Sequence, residues 1–200
     1  MSLLFETIRI DDGILRNISY HNLRMEESQR AIYNVAGTVN LEDSLQVPPE
    51  FGKGTVKCRV VYGKQIEEVA FSTYITRNIR TLKLVDGNRI DYSFKFTDRE
   101  QLNALLKQRQ DCDEILIVKD GYITDTSFSN IVFRYGDNWV TPANPLMRGT
   151  IRASLLHQRI IKQEVIRVDD LGKYSAARLI NAMLPFGSGP DIPVDAISCL

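Results

Sequence analysis

The sequence predicts an α+β protein with mostly antiparallel sheet. Short segments of alternating apolar and polar residues recur along it, and turn residues stand between them at Asp11-Asp12-Gly13, Gly63-Lys64, Lys119-Asp120-Gly121 and Gly136-Asp137-Asn138. A few amphipathic stretches of helical length interrupt these segments. Residues 3–18 alternate about Asp11-Asp12-Gly13, which predicts a hairpin. A helix is expected from about His21 to Asn34, with Leu23, Ala31, Ile32 and Val35 as its apolar positions. Residues 40–53 read as loop, with Pro48-Pro49 and Gly52. Val56–Tyr62 and Glu67–Ile75 predict a second hairpin. Residues 1–76 thus form a small N-terminal domain, and 77–200 a larger one.

In the larger part Ile79–Val85 reads as a strand and Ile90–Phe96 as another, or as an extended approach. Asp98 is a candidate N-cap for a helix to about Gln108. Glu114–Val118, Tyr122–Thr124, Ile131–Tyr135 and Trp139–Thr141 predict a meander. A helix from about Thr150 to Lys162 follows Gly149, then a further helix at Asp170–Tyr174 and an apolar stretch at Arg178–Leu184.

Composition bounds the function classes. The 200 residues suffice for a substantial core, with 44% hydrophobic and 25% charged residues. Net charge is zero, which argues against a broad nucleic-acid footprint. No apolar run approaches the roughly 20 residues of a membrane span, and the first residues lack a signal-peptide layout. Cys58, Cys112 and Cys199 are odd in number and far apart, which disfavours a disulfide framework or a zinc site and suits the cytoplasm. Two histidines, His21 and His157, exclude a multi-histidine metal site.

A few residues could carry chemistry. Lys95 stands between Phe94 and Phe96, where desolvation would lower its pKa and make it a nucleophile, or it is an edge lysine facing water. Asp125 opens the polar run Asp125-Thr126-Ser127-Phe128-Ser129-Asn130. That run is either a solvated bend or a buried polar site, and a buried carboxylate there calls for a cationic partner such as a protonated pyridine nitrogen. Gly149-Thr150-Ile151-Arg152 opens a helix whose first amides suit a phosphate, although Thr is also a common cap. Asn181-Ala182-Met183 offers further amides, and Arg24 a guanidinium suited to bidentate phosphate contact. Gly52-Lys53-Gly54-Thr55 lacks the phosphate-loop spacing.

In order along the chain, Phe5-Glu6-Thr7-Ile8-Arg9, Asp12-Gly13, His21-Asn22-Leu23-Arg24-Met25, Lys95-Phe96-Thr97-Asp98-Arg99, Asp113–Val118, the run from Gly121 to Phe133, Thr141-Pro142 and Gly149-Thr150-Ile151-Arg152 resemble the class IV aminotransferase family, the fold-type IV enzymes dependent on pyridoxal 5′-phosphate. The resemblance implies a small N-terminal α/β domain and a larger, mostly antiparallel sheet domain with helices. It implies that Lys95 carries the cofactor and is the catalytic lysine, and that Asp125 pairs with the ring nitrogen. Arg24, the Gly149, Thr150 and Ile151 segment, and Asn181-Ala182 match phosphate-holding positions. Asp stands at 125 where the family has Glu, and the chain is shorter than typical relatives. Asn181-Ala182-Met183-Leu184-Pro185 and Lys95-x-x-Asp98-Arg99 resemble segments of aminodeoxychorismate lyases. They imply conversion of 4-amino-4-deoxychorismate to 4-aminobenzoate and pyruvate in folate biosynthesis. A branched-chain or D-amino acid aminotransferase and a non-catalytic relative are the alternatives. A homodimer acting on a small-molecule substrate, without nucleic acid or membrane, is also implied.

Overall fold

The computed structural model describes residues 2–35 and 39–198. They divide into two compact units, Met1–Thr76 with Phe94–Asp98, and Arg77–Ser93 with Arg99–Leu200. In the first unit β1 (Leu4–Asp11) turns at Asp12-Gly13 into the short β2 (Ile14–Leu15). Asp12 and Gly13 take φ of 48° and 78°, the doubly positive pair that a two-residue hairpin turn demands. Helix α1 (Ile18–Tyr33) and the single turn α2 (Leu41–Ser44) follow, then the hairpin of β3 (Thr55–Tyr62) and β4 (Ile66–Thr73). The sheet runs β2-β1-β3-β4, antiparallel throughout.

Period-two alternation explains the core of this unit. Leu4, Glu6, Ile8 and Ile10 share one face of β1, opposite Tyr62, Val60, Cys58 and Val56 of β3. All eight are buried, and Met25 of α1 and Leu41 of α2 pack in the same cluster. Each fully buried aliphatic side chain contributes about 1.5–3 kcal/mol. Glu6 is the one charged member of that row.

The face that α1 buries matches the expected one only in part, since Ile32, and Val35 just past the helix end, pack against the core. Leu23 is 56% exposed and Ala31 is also exposed, whereas His21, Met25, Ser28, Gln29 and Tyr33 are buried. Buried polar groups with partners displaced the apolar stripe: Gln29 donates to the Gly63 and Lys64 carbonyls, and Tyr33 to that of Ser2.

The second unit holds β5 (Leu82–Asp86), α3 (Glu100–Leu106), β6 (Glu114–Lys119), β7 (Tyr122–Thr126), β8 (Asn130–Tyr135), β9 (Asn138–Pro142), α4 (Thr150–His157), β10 (Lys162–Glu164), β11 (Ala176–Ile180), β12 (Ile192–Pro193) and β13 (Ile197–Ser198). Its sheets run β13-β5-β6-β7 and β10-β9-β8-β11-β12. β6 pairs parallel with β5 and antiparallel with β7, and its first five residues are buried, as the apolar run Ile115–Val118 suggests. Leu84, Leu116, Ile131, Phe133, Ala177 and Leu179 lie in one core cluster.

Several expected boundaries move. Arg99, not Asp98, occupies the N-cap of α3. Ile90–Phe96 forms no strand, and its contribution to a sheet is the bridge of Phe96 with Leu4. α4 ends at His157, because Arg159 takes φ of 58° and Lys162–Glu164 pairs with β9 instead. Asp170–Tyr174 falls in a 3₁₀ turn, Val168–Lys173. Cys58 and Cys112 are free thiols, and Cys199 lies outside the described residues. Among the described residues no helix is long and apolar enough to cross a membrane.

Candidate active site

In the first unit the expected residues Arg24 and Lys95 both attach to β1. The Lys95 carbonyl accepts from Phe5 N at 2.9 Å, and Thr97 N donates to Leu3 O at 2.9 Å. Lys95 is half-buried and its Nζ lies 4.7 Å from the centroid of the Phe5 ring. Phe94 and Phe96 meet edge to face at 6.2 Å and pack with the core cluster, so the aromatic ring beside the amine is Phe5, which the local sequence did not indicate. Arg59 lies over the same ring, at 3.9 Å.

Arg24 is held by Glu6. Its Nε donates to Oε1 at 2.9 Å and its Nη2 to Oε2 at 2.5 Å. His21 Nδ1 lies 2.6 Å from the same Oε2. Burial pushes the Glu6 carboxyl up, but the Arg24 charge and the His21 hydrogen bond outweigh it and hold the pKa at about 2. Burial pushes His21 down against its bond to Glu6, and the charges of Arg24 and Lys95 add to the lowering. An ionised carboxylate facing a neutral imidazole requires the proton on Nδ1, so His21 donates.

In the second unit the polar run is neither a solvated bend nor a row of open donors. Thr124, Asp125, Thr126, Ser127, Ser129 and Asn130 are all buried. Thr126 and Ser129 close a turn on themselves: Thr126 N donates to Ser129 O at 3.0 Å, and Ser129 N to Thr126 Oγ1 at 3.0 Å. Ser127 is gripped from two sides, its carbonyl by Arg99 Nη2 at 2.7 Å and its amide by Glu114 Oε1 at 3.3 Å.

Asp125 has different partners. Asn130 Nδ2 donates to its Oδ1 at 2.7 Å, and Met147 N donates to its Oδ2 at 2.9 Å. Asn130 Nδ2 also bonds the Met147 carbonyl at 2.8 Å. Burial pushes the Asp125 pKa up to about 6, against those two bonds and the more distant charge of Arg152. No ion pair reaches it among the described residues.

Gly149 and Asn181 come to the same place through their neighbours. A Cβ on Gly149 would lie 1.9 Å from Asn130 Oδ1, so glycine is what lets the amide that holds Asp125 sit against the start of α4. Gly149 is the N-cap of α4 and offers no side-chain bond to the first-turn amides. Asn181 Oδ1 accepts from Met183 N at 2.8 Å and Leu184 N at 3.0 Å, while its Nδ2 reaches Phe128 O at 3.4 Å. Ala182 lies in the turn so formed. Asp125 and Asn181 thus each hydrogen-bond into the 125–130 segment, at Asn130 and at the Phe128 carbonyl, and Gly149 abuts Asn130.

Sequence reasoning anticipated that neighbours such as Asn130 could bond a buried Asp125, but missed the roles of Glu6, His21 and Met147. Glu6 carried a usable signal, since a carboxylate in an otherwise apolar β1 row requires a buried partner. The further links of Asn130 to Met147 and Gly149 lie far along the chain and have no local signature.

A family model for amino-transferase class IV matches residues 63–188. An uncharacterized protein of Haemophilus influenzae is 36% identical over 182 residues, which are 90% of this chain and 97% of that one. The crystal structure of a Haemophilus somnus 129pt protein, provisionally named a 4-amino-4-deoxychorismate lyase, superposes with a TM-score of 0.87 at 38% identity, covering 95% of this chain and 98% of that one. A hypothetical aminotransferase from Mycobacterium tuberculosis, in its PLP-bound form, shares the fold with a TM-score of 0.79 at 18% identity, covering 98% of this chain and 81% of that one.

Proposed function

Because the chain belongs to the class IV aminotransferase family, we propose that it is a pyridoxal 5′-phosphate enzyme converting 4-amino-4-deoxychorismate to 4-aminobenzoate and pyruvate, a step of folate synthesis. The observation that carries the reading is Asp125, a buried carboxylate with a pKa pushed up to about 6 and locked by Asn130 and Met147 N. Such a group gains most from a fixed cationic partner, and a protonated pyridine nitrogen is one. The amides opening α4 and the Asn181 turn suit an anionic phosphate. The donor set therefore fits the cofactor.

When bound, the cofactor supplies a sink for the electron pair released at the substrate carbon. Asp125 keeps a proton on the ring nitrogen, its Oδ atoms aimed by Asn130 and Met147 N. Lys95 carries the cofactor, takes the proton from the carbon bearing the substrate amine, and returns a proton to the departing three-carbon fragment. Arg24, the amides of Thr150 and Ile151, and Asn181-Ala182 hold the phosphate. The lyase is preferred over an aminotransferase by the Asn181–Pro185 segment and by likeness to the H. somnus protein. The same reading carries a cytoplasmic homodimer, which light scattering and fractionation check.

The deciding experiment mixes the pure protein and cofactor with enzymatically generated aminodeoxychorismate, with no amino acceptor. The expected result is 4-aminobenzoate fluorescence with equimolar pyruvate, abolished in Lys95→Ala. Glutamate formed from 2-oxoglutarate, without 4-aminobenzoate, would point to an aminotransferase instead.

A further inference from the structure

We infer that Glu6, backed by His21, is the positioning residue that sets the Arg24 guanidinium for a phosphate group. The inference rests on the proposed role of Arg24 as a phosphate holder.

Three features lead to it. First, Glu6 occupies a row whose other members, Leu4, Ile8 and Ile10, are wholly buried, and its own side chain is 0% exposed. A lone ion there would be very costly, so the site must supply its partners. Second, both partners come from one stripe of α1. His21 and Arg24 are three residues apart, hence on neighbouring turns of one face. Third, the contact is fork to fork. Nε and Nη2 meet Oε1 and Oε2, and a guanidinium is planar, so gripping one edge fixes the direction of the opposite edge. His21, also 0% exposed, bonds Oε2 and holds the carboxylate plane in turn. Arg24 is the least buried member of the cluster, with 14% of its side chain exposed.

Charge and position predict opposite outcomes, which makes the role testable. Glu6 neutralises Arg24, so if it acted through charge alone its removal would strengthen anion binding. If it acts by position, removal weakens it. Equilibrium dialysis of the full-length protein with pyridoxal 5′-phosphate and, separately, with pyridoxal, which lacks the phosphate, reads the difference. Glu6→Gln is expected to lower affinity for the phosphorylated probe about tenfold, the scale of one charge-assisted hydrogen bond, with pyridoxal changed by less than about twofold.

Glu6→Asp keeps the charge and draws the carboxylate back by one methylene. It guards against a Glu6→Gln protein that fails to fold, and is expected to show the same selective loss. Unchanged or tighter binding of the phosphorylated probe in these variants, or equal loss for both probes, would overturn the inference. Arg24→Ala separates this from the underlying reading. If it erases the phosphate preference while the Glu6 variants keep it, Glu6 has no positioning role and Arg24 still holds phosphate. If Arg24→Ala keeps the preference, both fall.

Discussion

Two carboxylates are almost wholly out of water, and their environments drive them in opposite directions. Glu6 is 0% exposed and Asp125 4%, yet Glu6 is held at about 2 while Asp125 is pushed up to about 6. Burial is the largest influence on both. Glu6 overcomes it with a bidentate guanidinium and an imidazole N–H. Asp125 has an amide side chain, the backbone N–H groups of Met147 and Leu146, and a more distant Arg152. Hydrogen bonds from neutral groups orient a carboxylate without repaying its desolvation, whereas a gripping cation does both. The first arrangement completes itself. The second aims its carboxylate with neutral donors alone in direct contact.

The largest effect should come from breaking the complete arrangement. Glu6→Ala leaves Arg24 and His21 facing a cavity and should cost about 3–5 kcal/mol in urea unfolding, the scale for one deleted member of a buried pair. The pH profile of the cofactor-free protein should then separate the two acids. Glu6 falls from its ordinary 4.5 to about 2, so its contribution is fully present above 4.5 and is lost as pH drops through about 2. Asp125 rises from 3.8 to about 6, so the folded state binds the extra proton and stability declines as pH climbs from 3.8 through about 6. That decline, up to about 3 kcal/mol, should vanish in Asp125→Asn. A decline that persists in Asp125→Asn would assign the titration elsewhere.

Gly149→Ala probes how Asp125 is aimed. The new methyl must push Asn130 away, at about 1–3 kcal/mol, the usual cost of overfilling a packed site. The cofactor absorbance band should weaken along with stability. The smallest effect is expected at an exposed acid. Glu26 pairs with Arg30 one turn away at 2.7 Å, with 43% and 65% of the side chains exposed. Arg30→Ala should change unfolding by about 0.3–0.5 kcal/mol and fade further in salt.

Local chemistry made part of this legible in sequence. Asp12-Gly13 and Asp120-Gly121 adopt the positive φ angles that their identities permit, and both expected turns form there. The run Ile115–Val118 forms a buried strand for the reason its composition suggests. Lys95 and Asp125 were candidates from their flanking residues, but their proposed roles come from the family resemblance alone. Long-range pairing hid the rest. Periodicity placed Ile32 of α1, and Val35 just past it, against the core but missed a buried stripe that includes His21 and Gln29, whose partners lie on distant strands and turns. Asp98 offered a good cap, yet the cap falls one residue later, at Arg99, whose side chain bonds the Ser127 carbonyl. The link from Asn130 to Met147 and Gly149 spans 17 to 19 residues of intervening chain, beyond any turn or helix pattern.

The lysine segment carries a consequence for synthesis of the chain. Leu4 bridges Phe96, and the Thr97 hydroxyl bonds the Leu3 carbonyl across a separation of 94 residues. On a ribosome the first strand is therefore finished long before its last neighbour exists, about 5–20 s later at usual elongation speeds. A nascent chain stalled after Thr76 would display one edge of β1 without its final cover, and that edge is where trigger-type chaperones or unwanted strand pairing would first find purchase.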